Sequence, residues 1–177
     1  MSDPLVCVCI PCYNNALTIA QTLQSIVSQS YSNLLIKVFD NASSDTTRDI
    51  VQRFIKQDSR IQLYTRESTV SGEDNFNTCI AEAEGEFAAI FHSDDVYENS
   101  IITAQVDFLS RHPDAVAVST HASLIDENGS ATGTRMVPPE LAHQQESELD
   151  RFTLISLSFK YGNFVTCPSV LFRTTTL

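Results

Sequence analysis

The chain has 177 residues, 42% hydrophobic and 19% charged, and its 11 Lys+Arg against 22 Asp+Glu leave a formal charge of −11. A chain of this length buries roughly two-thirds of its unfolded surface and needs neither a disulfide framework nor a metal to hold a core. The acidity argues against a nucleic-acid partner and an anionic membrane surface, both of which select clustered Lys and Arg, and no apolar run approaches the roughly 20 residues of a spanning helix.

The N-terminus, MSDPLVCVCIPCYNN, starts acidic and breaks its apolar run at Pro11, which does not fit a secretion signal. Leu5–Ile10 reads as a short strand, followed by Ala16, Ile19, Ala20, Leu23, Ile26 and Val27 on one helix face. Leu34–Phe39 is a second strand, and Ser43-Ser44-Asp45 offers caps for a helix carrying Ile50, Val51, Phe54 and Ile55. Ile61–Tyr64 is a third strand. Phe76, Ile80 and Ala83 line the next helix, with Gly85 as its left-handed cap. Phe87–Phe91 is an apolar strand. A helix on Ile102, Val106 and Leu109 then ends at Arg111, His112 and Pro113, before a strand over Ala115–Ser119.

From Ala122 the character changes, with Leu124-Ile125 leading into an Asn128-Gly129 hairpin turn and a polar stretch running to Asp150. A helix near Phe152–Phe159 and a strand near Val170–Phe172 complete the pattern. That last strand has no obvious partner after it, which suggests an incomplete domain. Apolar strands separated by amphipathic helices imply an α/β sandwich with a mainly parallel sheet covered on both faces. Five cysteines at these spacings make no zinc site and are expected to be buried reduced thiols. A cytoplasmic location is expected.

Parallel open sheets bind ligands beyond the carboxyl ends of their strands. Here those ends deliver Pro11-Cys12-Tyr13-Asn14, Asp40-Asn41-Ala42-Ser43 and His92-Ser93-Asp94-Asp95. No GxGxxG or GxxxxGK[ST] loop is present, so a dinucleotide or P-loop cradle is excluded. A diphosphate at so acidic a rim needs a hard divalent cation between the two sets of oxygens, and Asp94 and Asp95 are placed to hold it. Asp94-Asp95 also suits a helix cap, and Asp40 either an Asx turn or a base N–H. Tyr13 suits core packing or base stacking. His92 is either a rim histidine or a ligand to Mn or phosphate. Asn14 and Asn15 suit helix caps, and Asn75-Phe76-Asn77 packing or ligand contact.

The strings VCVCIPCYNN, KVFDNASSD, NFN with AEGEF, and FHSDD resemble the nucleotide-binding half of the family 2 glycosyltransferases of GT-A fold, over about residues 5–126. Gln105-Val106 with Phe108-Leu109 and His112-Pro113, then Ile125 to Gly129 and Cys167 to Arg173, resemble one bacterial branch of that family. The resemblance implies a Rossmann-like three-layer sandwich that transfers a sugar from a UDP-sugar to an acceptor hydroxyl, with inversion and with Mn2+ or Mg2+, in cell-surface polysaccharide or glycan synthesis. It assigns Pro11, Tyr13, Asn14, Asp40, Asn77, His92, Ser93 and Asp94 to the nucleotide-sugar site, with Tyr13 stacking on the base, Asp40 accepting its N–H and Asp94 holding the metal. The family's DxD motif has His92 at its first position here, which bears on the ribose and metal contacts made from there.

Residues 1–121 would then form the nucleotide-sugar part and 122–177 the start of an acceptor part for a glycan or lipid-linked acceptor, placing the protein in the cytoplasm or peripherally at the inner membrane face. The catalytic base would lie beyond Leu177. A non-catalytic nucleotide-sugar-binding or assembly module is the alternative. An aspartyl phosphatase fits poorly, because PCYN stands where its nucleophile would follow the first strand.

Overall fold

The computed structural model describes residues 3–176. Its central sheet has six strands in the order β3-β2-β1-β4-β8-β5, with β1 (Val6–Cys12), β2 (Leu34–Asp40), β3 (Ile61–Thr65) and β4 (Phe87–Ile90) all parallel. β8 (Leu171–Arg173) runs antiparallel between β4 and β5 (Ala117–Val118). The last strand therefore has two partners, both earlier in the chain. β5 is shorter than the expected Ala115–Ser119 because it lies at the sheet edge and pairs only with β8.

Period-two alternation sends β1 side chains into two cores. Val6, Val8, Ile10 and Cys12 meet α1 (Ile19–Val27), α2 (Thr47–Ile55) and α4 (Ile101–Arg111), while Cys7 and Cys9 meet α3 (Gly72–Ala81). This is a three-layer α/β/α sandwich with a mainly parallel sheet. Lys37 of β2 is also on the α3 side and is fully buried. It donates to the Glu82 carbonyl at the C-cap of α3 and pairs with Glu84, so a cation caps the negative end of that helix.

Three local readings change. Pro11 does not end β1 but lies inside it, in register with Phe39. Cys9 and Pro11 face β4, and the ladder with β4 stops at Cys9, so the missing N–H of Pro11 costs no strand bond. Gly85 is left-handed at φ 81° but does not cap α3, whose C-cap is Glu82. A Cβ there would meet the Leu5 carbonyl oxygen at 2.6 Å, so glycine is required by a close chain approach. Cys7, Cys9, Cys12 and Cys79 are buried free thiols, but Cys167 is exposed.

Beyond β5, β6 (Ser123–Ile125) and β7 (Ala131–Thr134) form the expected hairpin, and α5 (Arg151–Tyr161) is capped by Asp150 accepting from Thr153 N–H at 2.8 Å. The turn is longer than a two-residue Asn-Gly loop: Gly129 N–H donates to the Asp126 carbonyl, with Gly129 left-handed after it.

Candidate functional site

β2 lies on one side of β1 and β4 on the other, so the strand order reverses between β1 and β4 and a crevice opens at their carboxyl ends. The loops after β1, β2 and β4 meet there. Asn14 is left-handed at φ 52° and caps no helix. Its N–H donates to Ser43 Oγ at 2.9 Å, and its Oδ1 accepts from Ser44 N–H at 2.9 Å, stapling the first loop to the second. Asn15 acts within its own loop, its Oδ1 accepting from Tyr13 N–H at 2.8 Å. That leaves the Tyr13 ring half exposed at the rim instead of packed in the core.

Asp40 is fully buried at the end of β2. Its Oδ2 accepts from Arg48 Nε at 2.6 Å and Ser43 N–H at 3.1 Å, an arrangement that needs Ala42 left-handed at φ 58°. Its Oδ1 meets only the Cys12 thiol at 3.9 Å, so this buried carboxylate oxygen has a single weak donor in the protein. A non-glycine residue held in the left-handed region is the kind of strain found at binding loops.

The loop after β4 carries the chemistry. His92, Asp94 and Asp95 place ligand atoms within 4.8 Å of one another, the one such group among the described residues. α4 begins only at Ile101, so Asp94 and Asp95 are not its caps. Burial and the charge of Asp94 push the Asp95 carboxyl above its usual range, against the pull of His92. A divalent cation would relieve that penalty, and two carboxylates with an imidazole are a donor set that fits one.

α1 holds this loop in place. Thr18 and Thr22 hydroxyls donate to the Ser93 and Asp95 carbonyls at 3.0 and 2.8 Å, and Ser25 Oγ accepts from Tyr97 N–H at 3.1 Å. The Tyr97 hydroxyl accepts from His92 N–H at 2.7 Å, and its ring stacks on Phe91 with centroids 3.8 Å apart. Ser93 is buried and its known contact is through this backbone.

Beside Asp40 a cavity of about 210 Å³ is lined by Phe39, Tyr64, Arg66, Asn75 and Thr78 among others. Asn75 donates to the Phe39 carbonyl at 3.1 Å, and its buried Oδ1 has no protein partner. Asn77, two residues on and so on the opposite face of α3, is exposed and does not line this cavity, so Asn75 is the asparagine of the NFN string that faces it. A second cavity, about 480 Å³, lies beyond β5 between α4 and the segment after β7. Gln105, Phe108, Thr120 and Met136 are among its lining residues.

The family model described as glycosyl transferase family 2 matches residues 7–175. The chain belongs to glycosyl transferase family 2. Family members similar to it include Escherichia coli UDP-Glc:alpha-D-GlcNAc-diphosphoundecaprenol beta-1,3-glucosyltransferase WfgD, 30% identical over 82% of this chain and 56% of the relative. Putative glycosyltransferase EpsE of Bacillus subtilis is 33% identical over 77% of this chain and 49% of its own length. The chain thus spans about half the length of the curated relatives it matches.

Among solved structures, the mannosyltransferase PcManGT from Pyrobaculum calidifontis, in complex with GDP-Man and Mn2+, aligns with TM-score 0.62 and 27% identity over 71% of this chain and 37% of that one. TarS of S. aureus in complex with UDP-GlcNAc aligns with TM-score 0.72 over 97% of this chain and 46% of that one, and its 22% identity supports the fold alone. No helix among the described residues is long and apolar enough to cross a membrane.

Several residues of the site escape motif reading in this family 2 chain. Thr18, Thr22 and Ser25 could have been found as a polar stripe at i, i+4 and i+7 beside the apolar face of α1. Tyr97 and Arg48 carry no such signal, because each acts through a contact across a loop.

Proposed function

We propose that this chain forms the donor site of a metal-assisted, inverting glycosyltransferase that uses a UDP-sugar in polysaccharide synthesis. The observation that carries this reading is the convergence of Tyr13, Asp40 and the His92–Asp95 loop on the switch point between β1 and β4. Under this reading residues 1–121 hold the donor, and 122–177 begin the acceptor part, for which the 480 Å³ cavity offers mixed apolar and polar walls. The acceptor is a glycan or a lipid-linked sugar, and the protein works from the cytoplasm or peripherally at the inner membrane face. A relative acting on a diphosphoundecaprenol-linked sugar and a mannosyltransferase solved with Mn2+ support the class.

Each residue has a task. Tyr13 offers its exposed ring to the base. Asp40 Oδ1 accepts a base N–H while Arg48 fixes the other oxygen, and Asn75 Oδ1 and Arg66 face the adjoining cavity. Pro11 fixes the backbone from which Tyr13 leaves the sheet, and Asn14 locks that loop to the next. Asp94 and Asp95 would hold Mn2+ or Mg2+, which when bound offsets the charge developing on the departing diphosphate. The acceptor oxygen forms its bond to the anomeric carbon on the face opposite the leaving diphosphate. No described residue is assigned as the base that removes the acceptor proton.

Calorimetric titration with UDP tests the reading. UDP is expected to bind only with Mn2+ or Mg2+, and Asp94→Ala to weaken that binding about 100-fold or more, beyond the 10- to 100-fold typical of losing a residue that merely supports a metal ligand. UDP affinity unchanged by metal and by Asp94→Ala would contradict it.

A further inference from the structure

The DxD resemblance expects a carboxylate where this chain has His92, and the geometry gives the imidazole a task of its own. His92 Nδ1 lies 3.8 Å from Asp95 Oδ2. A hydrogen bond would bring such atoms to about 2.7–3.2 Å. Two ligands each about 2.0–2.2 Å from one ion instead lie roughly 3 Å apart at right angles and roughly 4.3 Å apart when opposed. The observed spacing falls between those limits, and Asp94 completes the group within 4.8 Å.

The backbone under His92 is held on both sides. Its N–H donates to the Tyr97 hydroxyl, and the next residue's carbonyl accepts from Thr18. Both side chains of the His92–Asp95 pair remain accessible at the rim, 38% and 45% exposed, so an ion can reach them. Exchanging an oxygen for a nitrogen donor changes what the site prefers. Mg2+ favours an all-oxygen octahedron and holds its water, whereas an imidazole suits first-row transition ions.

We propose that His92 binds the metal directly beside Asp94 and Asp95, and that its nitrogen makes the donor site favour a first-row transition ion over Mg2+. This rests on the donor-site reading above. His92 thereby sets metal preference in place of the carboxylate that the motif leads one to expect.

The test uses the chain with UDP and Mn2+, with its histidines carrying 14N or 15N, read by electron spin-echo modulation. Directly bound imidazole nitrogen is expected, changing with the label and disappearing in His92→Asp, which still binds Mn2+. Calorimetry on His92→Asp is expected to show the ratio of Mn2+ to Mg2+ affinity falling by about tenfold or more. Bound Mn2+ without a histidine nitrogen signal, or a signal that survives in His92→Asp, would overturn the proposal while leaving the donor site standing. Metal-independent UDP binding, or no UDP binding at all, would overturn the donor-site reading and this proposal with it.

Discussion

β1, β2 and β4 are buried almost throughout, and the loops leaving them are tied to each other and to α1, whereas β6 and β7 are exposed along their length and α5 buries only Leu157. Phe152, Ile155 and Phe159 of α5 lie at i, i+3 and i+7 and face solvent, where Ile19, Leu23 and Ile26 at i, i+4 and i+7 in α1 are wholly buried. The same sequence period thus gives a core helix in one place and an uncovered face in the other. Helical spacing specifies a stripe, and only the topology decides whether something covers it.

Substitutions in the two regions should separate them, beginning with the deepest side chain. Leu23→Ala is expected to lower stability by about 2–5 kcal/mol, measured by chemical denaturation, because its site is closed on all sides. Gly85→Ala should cost about 1–3 kcal/mol through its left-handed φ, with the Leu5 clash adding to it. Thr22→Val should cost about 1–3 kcal/mol by leaving the Asp95 carbonyl without its donor, and should weaken Mn2+ binding as the acidic loop loosens.

Asp58 supplies a pH-dependent test in the first region. The hydrogen bond from Arg60, opposed by partial burial, holds its carboxyl below the usual range, and Arg60 in turn donates to the Val27 carbonyl at 2.9 Å. A depressed carboxylate contributes stability above its unfolded pKa near ~4 and loses it as pH falls through the lower folded value. Asp58→Asn should therefore cost about 1–2 kcal/mol at pH 7 and progressively less below pH ~4. At the small end, Phe159→Ser should change stability by no more than about 0.5 kcal/mol, since its ring is 89% exposed. A large loss there would mean that α5 is covered in solution.

Strand and helix order was legible because β1, β2 and β4 are apolar runs with turn residues between them, and the site loops were legible because they follow those strands. Pro11 misled because a proline normally ends a central strand, and here its missing donor falls where β4 has already stopped pairing. Asn14 and Asn15 looked like caps because local sequence cannot show that Ser43 and Ser44 lie across the rim. The position of β8 was invisible for the same reason: an antiparallel insertion between β4 and β5 depends on strands more than fifty residues apart. Asp94 stood out by type and place, while Thr22 and Tyr97, which hold its loop, look like ordinary helix and loop residues.

The central claim is that the ends of β1, β2 and β4 form one donor site. Nuclear magnetic resonance of the 15N-labelled chain, titrated first with UDP and then with Mn2+, tests it most directly. UDP should shift amide signals of Tyr13, Asp40 and Asn75, and Mn2+ should then broaden signals outward from His92 to Asp95. Shifts concentrated in the β6–β7 hairpin or around the cavity beyond β5, with the His92–Asp95 loop unbroadened, would contradict the account.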